Sequence, residues 1–358
     1  MFFHCDYFLE SEDESESEGE MRVTRALLRD SSDPMSLSSS TFKQLFRLNK
    51  EAFKYVLDEI DPHLPSFNST YIPNVLKLAA TLRFLAEGGY QRGTGQDFLV
   101  SMAQPTLSVT LAKILPIMEN ILCPKFISFA MTEDEKTASK QHFYEKYSFP
   151  GIIGCVDGTH IKIIRPVLNE HLYFNRKGDH SINAMIVCDY KMRIRAIDAR
   201  YGGASHDSFV FSLSAYRRHL VQKWNDGDRR SWLLGDSGYT LEPWMMTPYR
   251  TAQEGGQEEH FNTIHSKCRN IVERTIGVLK SRFRSILGAR QLHYSPEKAI
   301  QITNVCAALH NICKKFAVPD FPVMENNEEG EESELVASDL NQFSNIATEI
   351  RNQIKDVL

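Results

Sequence analysis

Three carboxylates sit in three separately recognisable frames: Asp157 in GCVDGTH (154–160), Asp236 in LLGDSGY (233–239) and Glu273 in NIVERTIGVLKSRF (270–283). Two aspartates at the ends of apolar, strand-like runs, followed by a glutamate inside a basic helical stretch, are what a chain needs to hold Mg²⁺ or Mn²⁺ against a nucleic-acid phosphate. Carboxylates grouped within a few ångströms raise one another's pKa, and a bound dication reverses that penalty. Two such ions would activate an attacking water and stabilise the leaving 3′-oxygen. A fourth acid, Asp207 in GGASHDS, reads either as a first-turn residue favoured by the helix dipole or as a further metal ligand. Gly154, Gly158, Gly235 and Gly238 flank the two aspartates, where they either form turns or let a phosphate chain come close.

The helix carrying Glu273 is basic. Between residues 267 and 290 seven cations face a single carboxylate, Glu273. Arg269, Glu273, Lys280 and Arg284 share one helical face, while Cys268, Val272, Ile276, Leu279 and Phe283 share another. Arg269, Lys280, Arg282 and Arg284 are therefore read as contacts to nucleic-acid phosphates, against the simpler account of an i, i+4 ion pair between Arg269 and Glu273.

The elements that must position these groups follow from the hydrophobic period. Apolar residues at Phe42, Leu45, Phe46, Phe53, Val56, Leu57 and Ile60 recur at helical spacing, and Pro73 and Gly88-Gly89 bracket another helix. Gln96 to Ser101, a turn at 102–104 and a helix from Pro105 have helix-turn-helix spacing, which serves plain bundle packing more readily than groove entry. From Gly151 the period changes to two. GIIGCVD reads as a buried strand ending at Asp157, HIKIIRP as a second extended piece, and SINAMIVCDY with MRIRAIDARY as a pair turning at 189–191. A helix from Ser205 to about Leu220, a strand in SWLLGDSGY, and helices over about 262–286 and from Ser295-Pro296-Glu297 to about Phe316 complete the domain. The expected organisation is a disordered acidic, Ser-rich leader (1–40), a helical domain (41–147), an α/β mixed-sheet catalytic domain (148–318), and an acidic tail with a short C-terminal helix (319–358).

Composition bounds the reading. The 358 residues, 42% of them apolar, can bury one large or two ordinary cores. The net charge of −5 is concentrated in acidic ends, such as ESEDESESEGE at 10–20, so a basic core remains compatible with a polyanionic partner. No run of 18 apolar residues and no cleavage site after the N-terminal acid support a membrane span or a secretory signal, and an intracellular chain is expected. The seven cysteines show no CxxC spacing and are expected to be reduced and buried. Cys306, His310 and Cys313 follow one helical face but lack the four ligands of structural zinc and read as core. GxSxG and P-loop motifs are absent, which removes serine-hydrolase and nucleotide-hydrolysing classes.

With GCVDGTH, YFNRKGDHSINAMIVCD, GGASHDS, SWLLGDSGY, the ERTIGVLKSRF helix and YSPEKA with LHNIC in order, the chain is similar from about Phe42 to Phe316 to the PIF/Harbinger superfamily of DDE transposases. The likeness extends to the Harbinger transposase-derived nucleases of animals. It implies an RNase H-like catalytic domain with Asp157, Asp236 and Glu273 as acidic triad and Asp207 as an additional ligand for Mg²⁺ or Mn²⁺. It further implies backbone contacts to DNA from Asn175, Arg176 and Lys177. Reliance on a separate Myb-like protein for DNA targeting and nuclear entry also follows, with the chain expected in nucleus and cytoplasm. Self-association is left open. The competing reading is a catalytically inactive DNA-binding or adaptor protein that keeps the transposase fold.

Overall fold

The computed structural model describes residues 21, 23–64, 72–88, 91–95, 100–288, 291–322 and 343–358. The acidic run at 10–20, most of the acidic tail and residues 96–99 of the expected first groove helix lie outside them. The chain divides into two compact units, one through Met118 and one from Glu119 to Leu358, whereas the hydrophobic period alone suggested a change at 147/148.

The first unit is helical. Its longer helices are α1 (Ser39–Phe46), α2 (Lys50–Ile60) and α3 (Asn74–Glu87), and α4 (Gln104–Phe126) begins in it. Ser38 and Asn49 accept from Thr41 N and Ala52 N, capping α1 and α2. Gly88 ends α3 in the left-handed region at φ 64°, where glycine pays no Cβ penalty. Phe42 packs edge-on against Phe46 and Phe53 with ring centroids 4.8 and 5.3 Å away, so the predicted apolar stripe is the core here. The Ser-rich end of the expected disordered leader is folded: Asp33 Oδ1 accepts from Met35 N, and Pro34 is buried at the start of a 3₁₀ turn. By length and composition α4 could cross a membrane, yet Leu107, Leu111, Ile114, Leu115, Met118 and Leu122 are all buried in the protein.

The second unit is built on a five-stranded mixed sheet. The strands are β1 (Ile152–Lys162), β2 (Ser181–Cys188), β3 (Ile194–Gly202), β4 (Trp232–Leu234) and β5 (Met245–Met246), in the order β3-β2-β1-β4-β5. β1, β2 and β3 form an antiparallel meander, and β4 and β5 join β1 in parallel. This is the RNase H-like α/β architecture that the resemblance implied. The β2–β3 turn is pinned by Asp189, whose Oδ1 accepts from both Lys191 N and Arg193 N.

Helices cover the sheet. α5 (Glu133–Tyr147) starts with a capping box between Thr132 and Glu135. It belongs with the sheet, because Phe143 is buried and Ser139 Oγ donates to Ile153 O at 3.1 Å. Where one helix was expected after Ser205 there are two, α6 (Asp207–Leu213) and α7 (Ala215–Asn225). Ser214 separates them, since its hydroxyl accepts from Arg217 N and donates to Phe211 O. α8 (Gln257–Arg282) and α9 (Pro296–Lys315) are the two long helices expected. Asn311 on α9 accepts from Ile194 N and donates to Ile194 O, closing the start of edge strand β3 with a side-chain amide. The C-terminal helix α10 (Ser344–Val357) is an integral part of the unit: Arg351 stacks on Tyr249 at 4.0 Å, and Tyr249 Oη donates to Asn352 Oδ1.

Candidate active site

Strand register brings the two aspartates together. Parallel pairing between β1 and β4 ends at Cys155 opposite Leu234. Asp157 and Asp236 each lie two residues beyond that last pair, so period-two alternation places them at matching positions. Contrary to the sequence reading, β1 does not end at Asp157. It runs on to Lys162, with Asp157 opposite Ile186 on β2. What stops at that level is β4, and its departure opens the sheet beside Asp157.

Helix α8 runs along β1 and delivers the glutamate. Cys155 Sγ lies 3.7 Å from Cys268 O, and Lys280 Nζ donates to His160 O at 3.2 Å. Between these contacts Arg269 reaches Asp157 Oδ2 through Nη2 at 2.9 Å and Glu273 Oε1 through Nη1 at 3.0 Å. Both accounts given for Arg269 from sequence are thereby sharpened: the i, i+4 pair exists, and its cation is spent on the acids instead of on solvent. Only 17% of the Asp157 side chain is exposed, against 51% for Glu273.

Asp207, at the start of α6, completes the group. Its Oδ1 accepts from Asn183 Nδ2 at 2.6 Å, and that nitrogen also donates to Ser205 O. A Cβ placed on Gly158 would stand 2.3–2.4 Å from the Asp207 carboxylate, so this glycine admits a carboxylate where the sequence reading invoked a phosphate. Gly154 and Gly235 are likewise filled from within the protein, by Cys188 O and by Met245 and Tyr239. Asp236 Oδ1 accepts from Gly238 N in a tight turn.

Electrostatics show how crowded the acids are. Burial pushes the Asp157 carboxyl up to about 7, with Asp236, Asp207 and Glu273 adding to the rise and Arg269 opposing it. Behind them Tyr239 is buried, its hydroxyl lacks a hydrogen-bond partner, and burial and the same aspartates hold its pKa well above the usual value. Four neighbouring carboxylates, with Asp157 mostly buried among them, are the oxygen donor set that a hard divalent cation takes. As the side chains stand, no three His, Cys, Asp or Glu residues among those described converge closely enough to hold one ion. The chemistry of the donors fits the metal, while Asp157 and Glu273 are paired with Arg269.

The expected phosphate contacts divide into two groups. Arg284, Arg176 and Lys177 are exposed. Arg176 Nη2 lies 2.8 Å from His206 Nδ1, which places it one residue from Asp207. Lys280, Arg282 and Asn175 are buried at 3%, 0% and 5% exposure. Arg282 reaches Asp320 and Pro319 O, and Asn175 Oδ1 accepts from Lys177 N and Asp179 N in a turn. Those three serve the fold from inside, because a cation or amide lacking access to solvent cannot reach a phosphate. Sequence reasoning missed Asn183, Tyr239 and the bridge that Arg269 makes between Asp157 and Glu273. A lone Asn inside the otherwise apolar run SINAMIV was a signal for the first, since a buried amide needs a partner.

The remaining candidates sort plainly. His160 Nδ1 lies 2.9 Å from Ser181 Oγ. Cys306 and Cys313 are core residues, and His310 Nε2 donates to Met192 O. In the helix that starts after the turn at 102–104, Gln104 is exposed, while Thr110 is buried and donates to Thr106 O.

A family model described as DDE superfamily endonuclease matches residues 156–311, a span that contains all four acids. The protein called "Putative nuclease HARBI1" of Bos taurus is 31% identical over 298 residues, covering 82% of this chain and 81% of that protein. Its Rattus norvegicus counterpart is 29% identical over 331 residues, 90% and 91% of the two chains. "Protein ALP1-like" of Arabidopsis thaliana is 26% identical over 309 residues, 81% of this chain and 73% of the relative. No solved structure matches the chain significantly.

Proposed function

The chain belongs to the DDE superfamily endonucleases, in the Harbinger transposase-derived group, and on that premise we propose that it hydrolyses DNA phosphodiester bonds with a divalent metal at Asp157, Asp236 and Glu273. One observation carries the reading: Asp157 is mostly buried beside three further carboxylates that raise its pKa, a state that a dication relieves.

Asp157, Asp236 and Glu273 would hold Mg²⁺ or Mn²⁺, with Asp207 as a further ligand. When bound, the metal supplies Lewis acidity for water attack and charge stabilisation on the leaving oxygen. The protein's own groups orient the acids. Gly158 N donates to Asp157 Oδ1 at 3.0 Å, leaving Oδ2 directed at α8. Asn183 holds Asp207 against Gly158. Exposed Arg176, Lys177 and Arg284 are suited to backbone phosphates. Targeting and nuclear entry through a Myb-like partner, with the chain in nucleus and cytoplasm, belong to the same reading.

The arrangement of the acids around Arg269, with no three of them poised on one ion, favours a second reading, a DNA-binding adaptor that has lost turnover. Supercoiled plasmid separates the two. Nicking by wild type in Mg²⁺ or Mn²⁺, abolished by EDTA and by Asp157→Asn while DNA binding persists, supports the nuclease. Binding without nicking in either metal supports the adaptor.

A further inference from the structure

We propose that Arg269 is the resident counter-cation of the carboxylate cluster, a guanidinium clamp that releases Glu273 when a divalent ion is taken up. The inference rests on the metal-nuclease reading and assigns a positioning role to a residue that the sequence suggested for DNA contact.

The geometry is that of a bridge. Arg269 serves Asp157 on β1 with one terminal nitrogen and Glu273, one helical turn away, with the other. Both Asp157 oxygens are thereby engaged, Oδ1 by Gly158 N and Oδ2 by Arg269. A planar fork suits this task, because its two terminal nitrogens diverge toward different carboxylates, which a point charge such as lysine cannot match. Its Nε is buried without a hydrogen-bond partner, whereas the Nε of Arg195, in a purely internal network, is paired with Asp189. Among the described residues, the ion pairs that hold Arg269 are those with Asp157 and Glu273.

The two ends of the bridge are unequal. Asp157 is fixed on a central strand with 17% of its side chain exposed, while Glu273 is 51% exposed on a long, rotatable side chain. The Glu273 contact is thus the one that can open, since its half-exposed carboxylate can exchange the pair for water. An arriving dication meets four carboxylates and one guanidinium. Its attraction to the acids is opposed by the charge of Arg269, and recruiting Glu273 competes with the pair to Arg269. Arg269 in this way keeps the empty site folded and sets how tightly the metal binds.

Mn²⁺ titration of the DNA-free protein at pH 8, read by electron paramagnetic resonance, tests this alongside thermal unfolding in EDTA. Arg269→Gln is expected to melt earlier in EDTA and to bind Mn²⁺ about tenfold more tightly, as a nearby like charge is removed. Arg269→Lys keeps the charge but not the bridge and should fall between wild type and R269Q. A purely structural arginine would lower the melting temperature of both variants and leave Mn²⁺ affinity unmoved or weakened. That outcome, with wild type binding Mn²⁺, overturns the clamp and leaves the nuclease reading standing. Absence of Mn²⁺ binding by every protein overturns both. Should R269Q fail to fold by circular dichroism, R269K decides, and an affinity equal to wild type refutes the clamp.

Discussion

The Asp207 carboxylate occupies the space that a Cβ on Gly158 would need, 2.3–2.4 Å from where that carbon would stand. The small residue after Asp157 is therefore what allows an acid from α6 to lie beside an acid from β1. Asn183 keeps it there through a 2.6 Å hydrogen bond. A side chain pinned by a buried amide cannot yield freely.

Gly158→Ala should accordingly displace Asp207 and cost about 1–3 kcal/mol of stability through overpacking. Its effect on activity should exceed that, because the acids lose their common neighbourhood. Thermal unfolding and plasmid nicking, measured side by side, check this. Wild-type activity in a folded G158A protein would remove Asp207 from the site.

The raised pKa of Asp157 fixes a sign for pH dependence. Between about 4 and 7 the folded protein retains a proton on Asp157 that the unfolded chain releases. Stability from this group is thus fully present below the unfolded pKa and is lost as pH rises through about 7. In EDTA the melting temperature of Asp157→Asn should gain on wild type from pH 5 to pH 8, and Mg²⁺ should narrow the gap at pH 8 but not at pH 5. A gap independent of pH and metal would contradict the electrostatic account.

Burial separates two arginines that sequence alone treats alike. Arg282→Ala should destabilise the protein by about 3 kcal/mol, as it empties the space of a fully buried side chain and removes its bonds to Pro319 O and Asp320, and should leave the salt dependence of DNA binding unchanged. Arg284→Ala should be near neutral for stability and lower the slope of log K against log salt by roughly 0.9. Salt titrations of both variants against wild type provide the check, and equal slopes in wild type and R284A would exclude Arg284 from the DNA contact.

Much of this arrangement was legible because it is written in local pattern. The switch from helical to alternating period at Gly151 marks the sheet, and Asp157 and Asp236 follow apolar runs that become neighbouring strands. What the pattern does not encode is the identity of the residue across an interface. A helical wheel puts Arg269, Glu273, Lys280 and Arg284 on one face, yet only packing shows that β1 lies opposite, turning Arg269 and Lys280 inward. Asn175 in NRKGD carried a readable turn signal, an Asx side chain ahead of a glycine, which the basic neighbours obscured. The length of β1 was misjudged for a related reason. Asp-Gly suggests a strand end, but here antiparallel pairing with β2 continues beneath it after β4 has left.

Single-turnover cleavage of an end-labelled DNA duplex in Mn²⁺, by wild type and by Asp236→Asn and Glu273→Gln variants, tests the central claim most directly. Metal-dependent cleavage by wild type, reduced about a thousandfold or more in each variant, is the expected result, equivalent to ~4 kcal/mol of lost transition-state stabilisation. Cleavage by either folded variant at the wild-type rate would show that these acids do not perform the chemistry.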